Sequence, residues 1–117
     1  MNTPHHLVTA SRVVGARVFG ADGRQLGKIV ELLIDKVSGK AAYALLRYDG
    51  FLGVGERYYP LPWSLLDYDP QKEGFATTLT RDQVDAGHHV DDQEVENEIA
   101  WRESVHAYYA AAPYWPF

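Results

Sequence analysis

Apolar and polar positions alternate along much of this chain in short runs separated by Gly, Pro, Asp and Ser, a rhythm that predicts strands. The run around which the rest is arranged is Asp22 to Asp35, an apolar stretch held between two turn signals. Asp22-Gly23 opens it and Val37-Ser38-Gly39-Lys40 closes it; Gly tolerates positive φ, and Asp or Ser can bond its own backbone. Leu26, Ile29, Val30 and Leu33 also fit the i, i+3, i+4, i+7 template of a helix. The strand reading wins on context, because a helix would carry Gly27 in its second turn and the β-branched Ile29, Val30 and Ile34 after it. As a strand, Leu26, Val30, Leu32 and Ile34 share one face while Gln25, Glu31 and Asp35 share the other. Only Lys28 and Leu33 break the alternation. Gly27 then marks a bulge or a place where another backbone passes close.

Taken in order, the chain opens with a polar lead-in (residues 1–10) that is expected to be mobile. Val13 to Phe19 alternates, with Val14, Ala16 and Val18 on one face and Arg17 on the other, and should form the first hairpin with the Asp22–Asp35 strand. Ala41 to Asp49 is apolar on both faces, as in the middle of a small closed sheet. Phe51 to Arg57, with Gly53 and Gly55, reads as a covered hairpin loop. Tyr58-Tyr59 is a short strand, and Pro60-Leu61-Pro62 must lie at a sheet edge or corner because proline cannot donate. Trp63 to Tyr68 resumes the strand pattern, Asp69 to Gly74 is a turn, and Phe75 to Thr80 is a strand with Phe75 and Leu79 inward. Thr80 can N-cap a short helix through Val84, ended by Gly87. Six short strands at this spacing predict a small antiparallel barrel over residues 11–90.

At 117 residues and 46% hydrophobic, the chain is one domain with enough apolar surface for a core. It has no cysteine, which excludes disulfides and thiolate chemistry. No apolar run approaches the ~20 residues of a membrane helix, and the N-terminus lacks the layout of a signal peptide, so a cytoplasmic location is expected. Charge is uneven. Residues 1–81 hold ten Lys or Arg against eight Asp or Glu, a net +2, whereas residues 82–117 hold eight acids against Arg102, a net −7. No basic stripe is visible, which argues against nucleic acid as a partner.

The order Gly23-x-x-Leu26-Gly27-Lys28-Ile29, Leu33-Ile34-Asp35, Ser38-Gly39-Lys40, Tyr59-Pro60-Leu61-Pro62-Trp63 and Leu79-Thr80-Arg81-Asp82-Gln83-Val84 resembles the PRC-barrel family. That domain is shared by the H subunit of the photosynthetic reaction centre and by the bacterial ribosome-maturation factor. The resemblance covers about residues 11 to 90 and is nearest in layout to the stand-alone bacterial members. It implies an all-β, six-stranded, antiparallel, partly open barrel that serves as a docking module, with no catalytic residues common to the family; the expectation for this chain is no cofactor.

Residues 91–117 lie beyond the predicted barrel. Asp91 with Glu94 makes a capping box, Glu94, Glu96 and Glu98 favour a helix N-terminus, and Glu98 with Arg102 is an i, i+4 pair, so a helix from about Asp92 to Ala111 is predicted. Its apolar residues, Val95, Ile99, Trp101, Val105, Tyr108, Tyr109 and Ala112, spread over more than one face. An aromatic terminus follows, with Tyr114, Trp115 and Phe117. Two readings stand open: the segment packs across its own barrel, or one face and the aromatic tail pack on a second chain.

Chemical candidates are few. His88-His89 with Asp91-Asp92 could ligate a metal if His5, His6 or His106 came near, but adjacent His residues on a strand point apart and the spacing matches no established site, so no metal is expected. Glu31, Asp35 and Asp49 sit at strand ends and turns, where carboxylates are solvated. Ser11, Ser38, Ser64 and Ser104 have no triad-like context, and Gly53-x-Gly55 lacks the setting of a phosphate loop. The candidate interaction surface is therefore aromatic: Tyr58, Tyr59 and Trp63, beside Pro60 and Pro62, then Trp101, Val105, Tyr108, Tyr109, Tyr114, Trp115 and Phe117. The competing reading makes Trp63 and Tyr59 ordinary core. The expectation is a non-enzymatic adaptor that self-associates, as a dimer or larger, and meets a protein partner. The alternatives are a ribosome- or RNA-maturation accessory and a small-ligand, quinone-like binder.

Overall fold

A computed structural model of the chain describes residues 7–48 and 57–115. The expected loop over Phe51 to Arg57 lies outside these residues except at Arg57, as do Asp49, Phe117 and most of the lead-in. The chain order is α1 (Ala10–Val13), β1 (Arg17–Phe19), β2 (Gln25–Ile34), β3 (Ala41–Tyr48), β4 (Tyr58–Pro62), β5 (Asp67–Asp69), β6 (Gly74–Ala76), α2 (Arg81–Asp85) and α3 (Arg102–Tyr109). The six strands form one sheet in the order β4-β3-β2-β1-β6-β5.

The predicted antiparallel topology needs correction: the sheet is mixed, because β6 runs parallel to β1, pairing Arg17 with Gly74 and Phe19 with Ala76. It is not closed, in keeping with the partly open barrel expected, since β5 and β4 are the two ends of the order. The chain reaches the far end through a 3₁₀ turn at Trp63–Leu65, where a continuing strand was expected. Gly74 permits the crossing: a Cβ there would lie 2.6 Å from the Arg17 carbonyl. The predicted first strand is also shorter than Val13 to Phe19. Ala10–Val13 is helical and turns through Gly15 at φ +94, so Val13 enters the core from a helix.

β2 is a strand with two extra residues. The register moves from Val18↔Gly27 to Phe19↔Gln25, which leaves Leu26 as a bulge, and from Ile29↔Leu46 to Glu31↔Leu45, which leaves Val30 as another. Each bulge reverses the phase of the strand, so Leu26 and Ile29 both reach the core although they differ in parity. Gly27 lies where backbones meet, and any Cβ there would collide with the Arg47 carbonyl.

On the edge strand β4, Tyr58 exchanges both backbone hydrogen bonds with Val90 at 2.8 Å, on the side away from β3. Pro60 and Pro62 share that parity, so their missing N–H groups face outward and cost no ladder bond.

The sheet separates two apolar clusters. The inner one includes Val13, Val18, Leu26, Ile29, Leu46, Leu61, Phe75 and Val84. The outer one gathers Ala42 and Tyr43 of β3 with Val90, Trp101 and Val105. β3 is apolar on both faces for this reason.

Candidate functional site

The outer cluster is built by residues 90–115, an arm that folds back over β3 and β4. Asp91 begins it with the predicted capping box: its carboxylate accepts from the Gln93 and Glu94 amides at 3.0 Å, and Glu94 accepts from the Asp91 amide at 3.0 Å. The long helix does not follow. Turns occupy the next residues, a 3₁₀ turn spans Glu98–Ala100, and the α-helix begins only at Arg102. Coiling this stretch would stack Asp92 on Glu96 and Glu94 on Glu98, like-charge i, i+4 pairs that disfavour a helix. The Trp101 indole N–H also donates to the Glu94 carbonyl at 3.0 Å, taking an acceptor a helix would use.

Trp101, 2% exposed, stands edge-on to Tyr43 with centroids 4.9 Å apart. His106 is buried beside them. Its Nδ1 lies 3.2 Å from the Ala111 carbonyl, which can only accept. Nδ1 therefore carries the proton and Nε2 accepts from the Tyr43 hydroxyl at 2.6 Å. Burial pushes the Tyr43 phenol well above its ordinary range, with Tyr114 adding to the effect. Trp115 stacks edge-on against His106 at 4.8 Å, and the Arg102 guanidinium lies 4.2 Å over its ring. The arm thus takes the first of the two readings, packing on its own sheet.

Between the arm and the β2–β3 hairpin runs an open groove of about 1420 Å³. Leu33, Leu45, Tyr43, Tyr58 and Val95 supply its apolar walls, and Val37 stands 93% exposed at the hairpin. Five carboxylates line it, Glu31, Asp35, Asp92, Glu96 and Glu98, against Lys36 and Arg102, a balance of −3. Asp35 accepts from the Ser38 hydroxyl at 2.7 Å and from backbone amides of the turn, which holds its carboxyl below the usual range.

The aromatic candidates divide. Tyr58, Tyr114 and Trp115 line the groove. Tyr59 is buried in the inner core, and Trp63, half-buried, packs against that core on Phe75 at 5.3 Å; Trp101 and Val105 are buried in the outer cluster. Tyr59, Trp101 and Val105 offer almost no surface to a partner, because a small sheet consumes its large side chains in packing. Tyr109 packs against both clusters, and Tyr108, 45% exposed, spends its hydroxyl on the Gln83 carbonyl at 2.6 Å. The sequence reading named Glu31 and Asp35 only as solvated carboxylates and missed their convergence with Asp92, Glu96 and Glu98. One signal was present: Leu33, out of phase on β2, is apolar on the outer face because the arm covers it.

Among the described residues no three His, Asp or Glu side chains gather around a common point; His89 lies against Tyr59 at 5.9 Å.

An open six-stranded sheet with a covering arm defines a small, mostly β domain. The chain belongs to the PRC-barrel domain family, whose model matches residues 5–84, the sheet and most of α2; the arm lies beyond the match. Among curated proteins, none matches the chain. Among the described residues no helix is long and apolar enough to cross a membrane.

Proposed function

We propose that the chain is a non-catalytic adaptor module that holds a segment of a protein partner in the groove between the arm and the β2–β3 hairpin. The observation that carries this is the groove itself, about 1420 Å³ with apolar walls and a charged rim. It exceeds the roughly 300–1,000 Å³ of small-molecule pockets and lies open, which speaks against a quinone-like ligand. Its −3 balance repels phosphate and disfavours the RNA-maturation alternative. Asp35 is stabilised as an anion by the Ser38 hydroxyl, the opposite of what a general acid needs.

The test is a photo-crosslinking residue placed at Val37, in the groove, or at Asp67, on the edge strand β5, in the full chain exposed to lysate. Adducts with a different protein from position 37 that are absent from position 67 and competed by unlabelled chain support the reading. Identical adducts from both positions, or none from position 37, count against it. A product of twice the chain mass from position 37 transfers the groove to the self-association expected from the aromatic sequence.

A further inference from the structure

β2 outruns its neighbour. β1 pairs with it from Gln25 to Lys28, and Gly15 and Ala16 extend the contact to Ile29. Past Val30, among the described residues, β3 borders one side of β2 and no strand borders the other. Asp35 bonds Gly39 and Lys40, on the β3 side. Ile34 and Leu32, of opposite parity, therefore turn their backbone groups to the open side. Side chains of both parities from Val30 to Asp35 line the groove, so it wraps this edge instead of lying on one face. Ile34, at that edge, is 52% exposed.

The rim states the charge of the occupant. Among the described residues none of the five groove carboxylates is ion-paired, and Arg102, one of the two cations, lies over Trp115. Resting on the docking reading above, we infer that the groove takes a cationic, extended segment of another protein, alternating Lys or Arg with apolar residues and adding to the open edge of β2 as a strand. Alternation lets one set of side chains meet the carboxylates while the other covers Leu33 and Val95, and the strand supplies main-chain partners to Leu32 and Ile34. A second copy fits poorly, since the chain carries −5 overall and an acidic face would meet its like.

The full chain, isotope-labelled for NMR, is titrated with three peptides of about ten residues, long enough to run past the edge. One alternates Lys and Val, one Glu and Val, one Gln and Val. The Lys peptide should bind saturably, move the amides of residues 30–37 and 92–98, slow exchange of the Leu32 and Ile34 amides, and weaken as salt rises. Glu31→Lys with Glu96→Lys, both exposed, should weaken it about tenfold or more, whereas Asp67→Lys with Asp85→Lys, the same change in net charge outside the groove, should alter it by less than about threefold. If the Gln peptide binds the groove as tightly as the Lys peptide, the cationic partner is overturned while the docking reading stands. Binding that leaves Leu32 and Ile34 exchanging freely overturns strand addition. If none of the three peptides moves groove amides, the inference falls; the crosslinking comparison at Val37 then decides the docking reading independently.

Discussion

Replacing Tyr109 by Phe should make this protein more stable. Among the described residues, the Tyr109 hydroxyl is buried with no hydrogen-bond partner. It lies in the space that a side chain at position 87 would need, for a Cβ on Gly87 would fall 2.6 Å from it. A hydroxyl taken from water and left unbonded costs about 1–3 kcal/mol. The Phe ring keeps the packing against both clusters and the edge contact with Tyr108 at 4.8 Å. The expected gain is about 1–2 kcal/mol, which for a chain of this size raises Tm by roughly 4–8 °C, read by urea and thermal unfolding at pH 7. The pH dependence adds a second reading. Burial raises the Tyr109 phenol, so below about pH 10 both folded and unfolded states are neutral there. Above it the unfolded state ionises first and binds fewer protons than the folded state, so stability falls as pH rises. The variant loses this part of the fall, and its advantage over the parent should widen above about pH 10. A Phe variant less stable than the parent by about 1 kcal/mol or more would show that the hydroxyl is bonded and the reasoning wrong.

Gly27→Ala should cost about 3 kcal/mol or more in urea unfolding, because the new Cβ meets the Arg47 carbonyl and a backbone must move; a loss under about 1 kcal/mol would contradict the close approach. Tyr43→Phe removes the donor to His106 Nε2 and should cost about 1–3 kcal/mol, with the His106 ring resonances shifting by NMR; an unchanged spectrum would remove that bond from the account.

Strand identities, turns and the short helix were largely legible because each rests on local chemistry. Asp35 with Ser38, the Thr80–Gln83 cap and the outward prolines of β4 are short-range devices. Gly27 was legible as a close approach, but the Leu26 and Val30 bulges were not, since a phase change leaves the same apolar letters in the same order. The parallel β1–β6 pairing was hidden because alternation specifies a strand and not its neighbour. In the arm, the capping box formed as predicted but the helix did not follow it, and the α-helix begins only at Arg102. Like charges at i, i+4 and the indole of Trp101, seven residues downstream of Glu94, decided the outcome. The site was least legible, because its acids come from β2, its turn and the arm, which only the folded arm brings together.

Everything proposed for the groove depends on the arm packing on its own sheet, and hydrogen exchange of the Trp101 indole N–H, followed by NMR across a wide range of protein concentration, tests this most directly. Bonded to the Glu94 carbonyl and buried within one chain, it should exchange slowly and at a rate independent of concentration. Fast exchange, or protection that grows with concentration, would show that the arm is loose or packs on a second chain, and the groove as described would not exist.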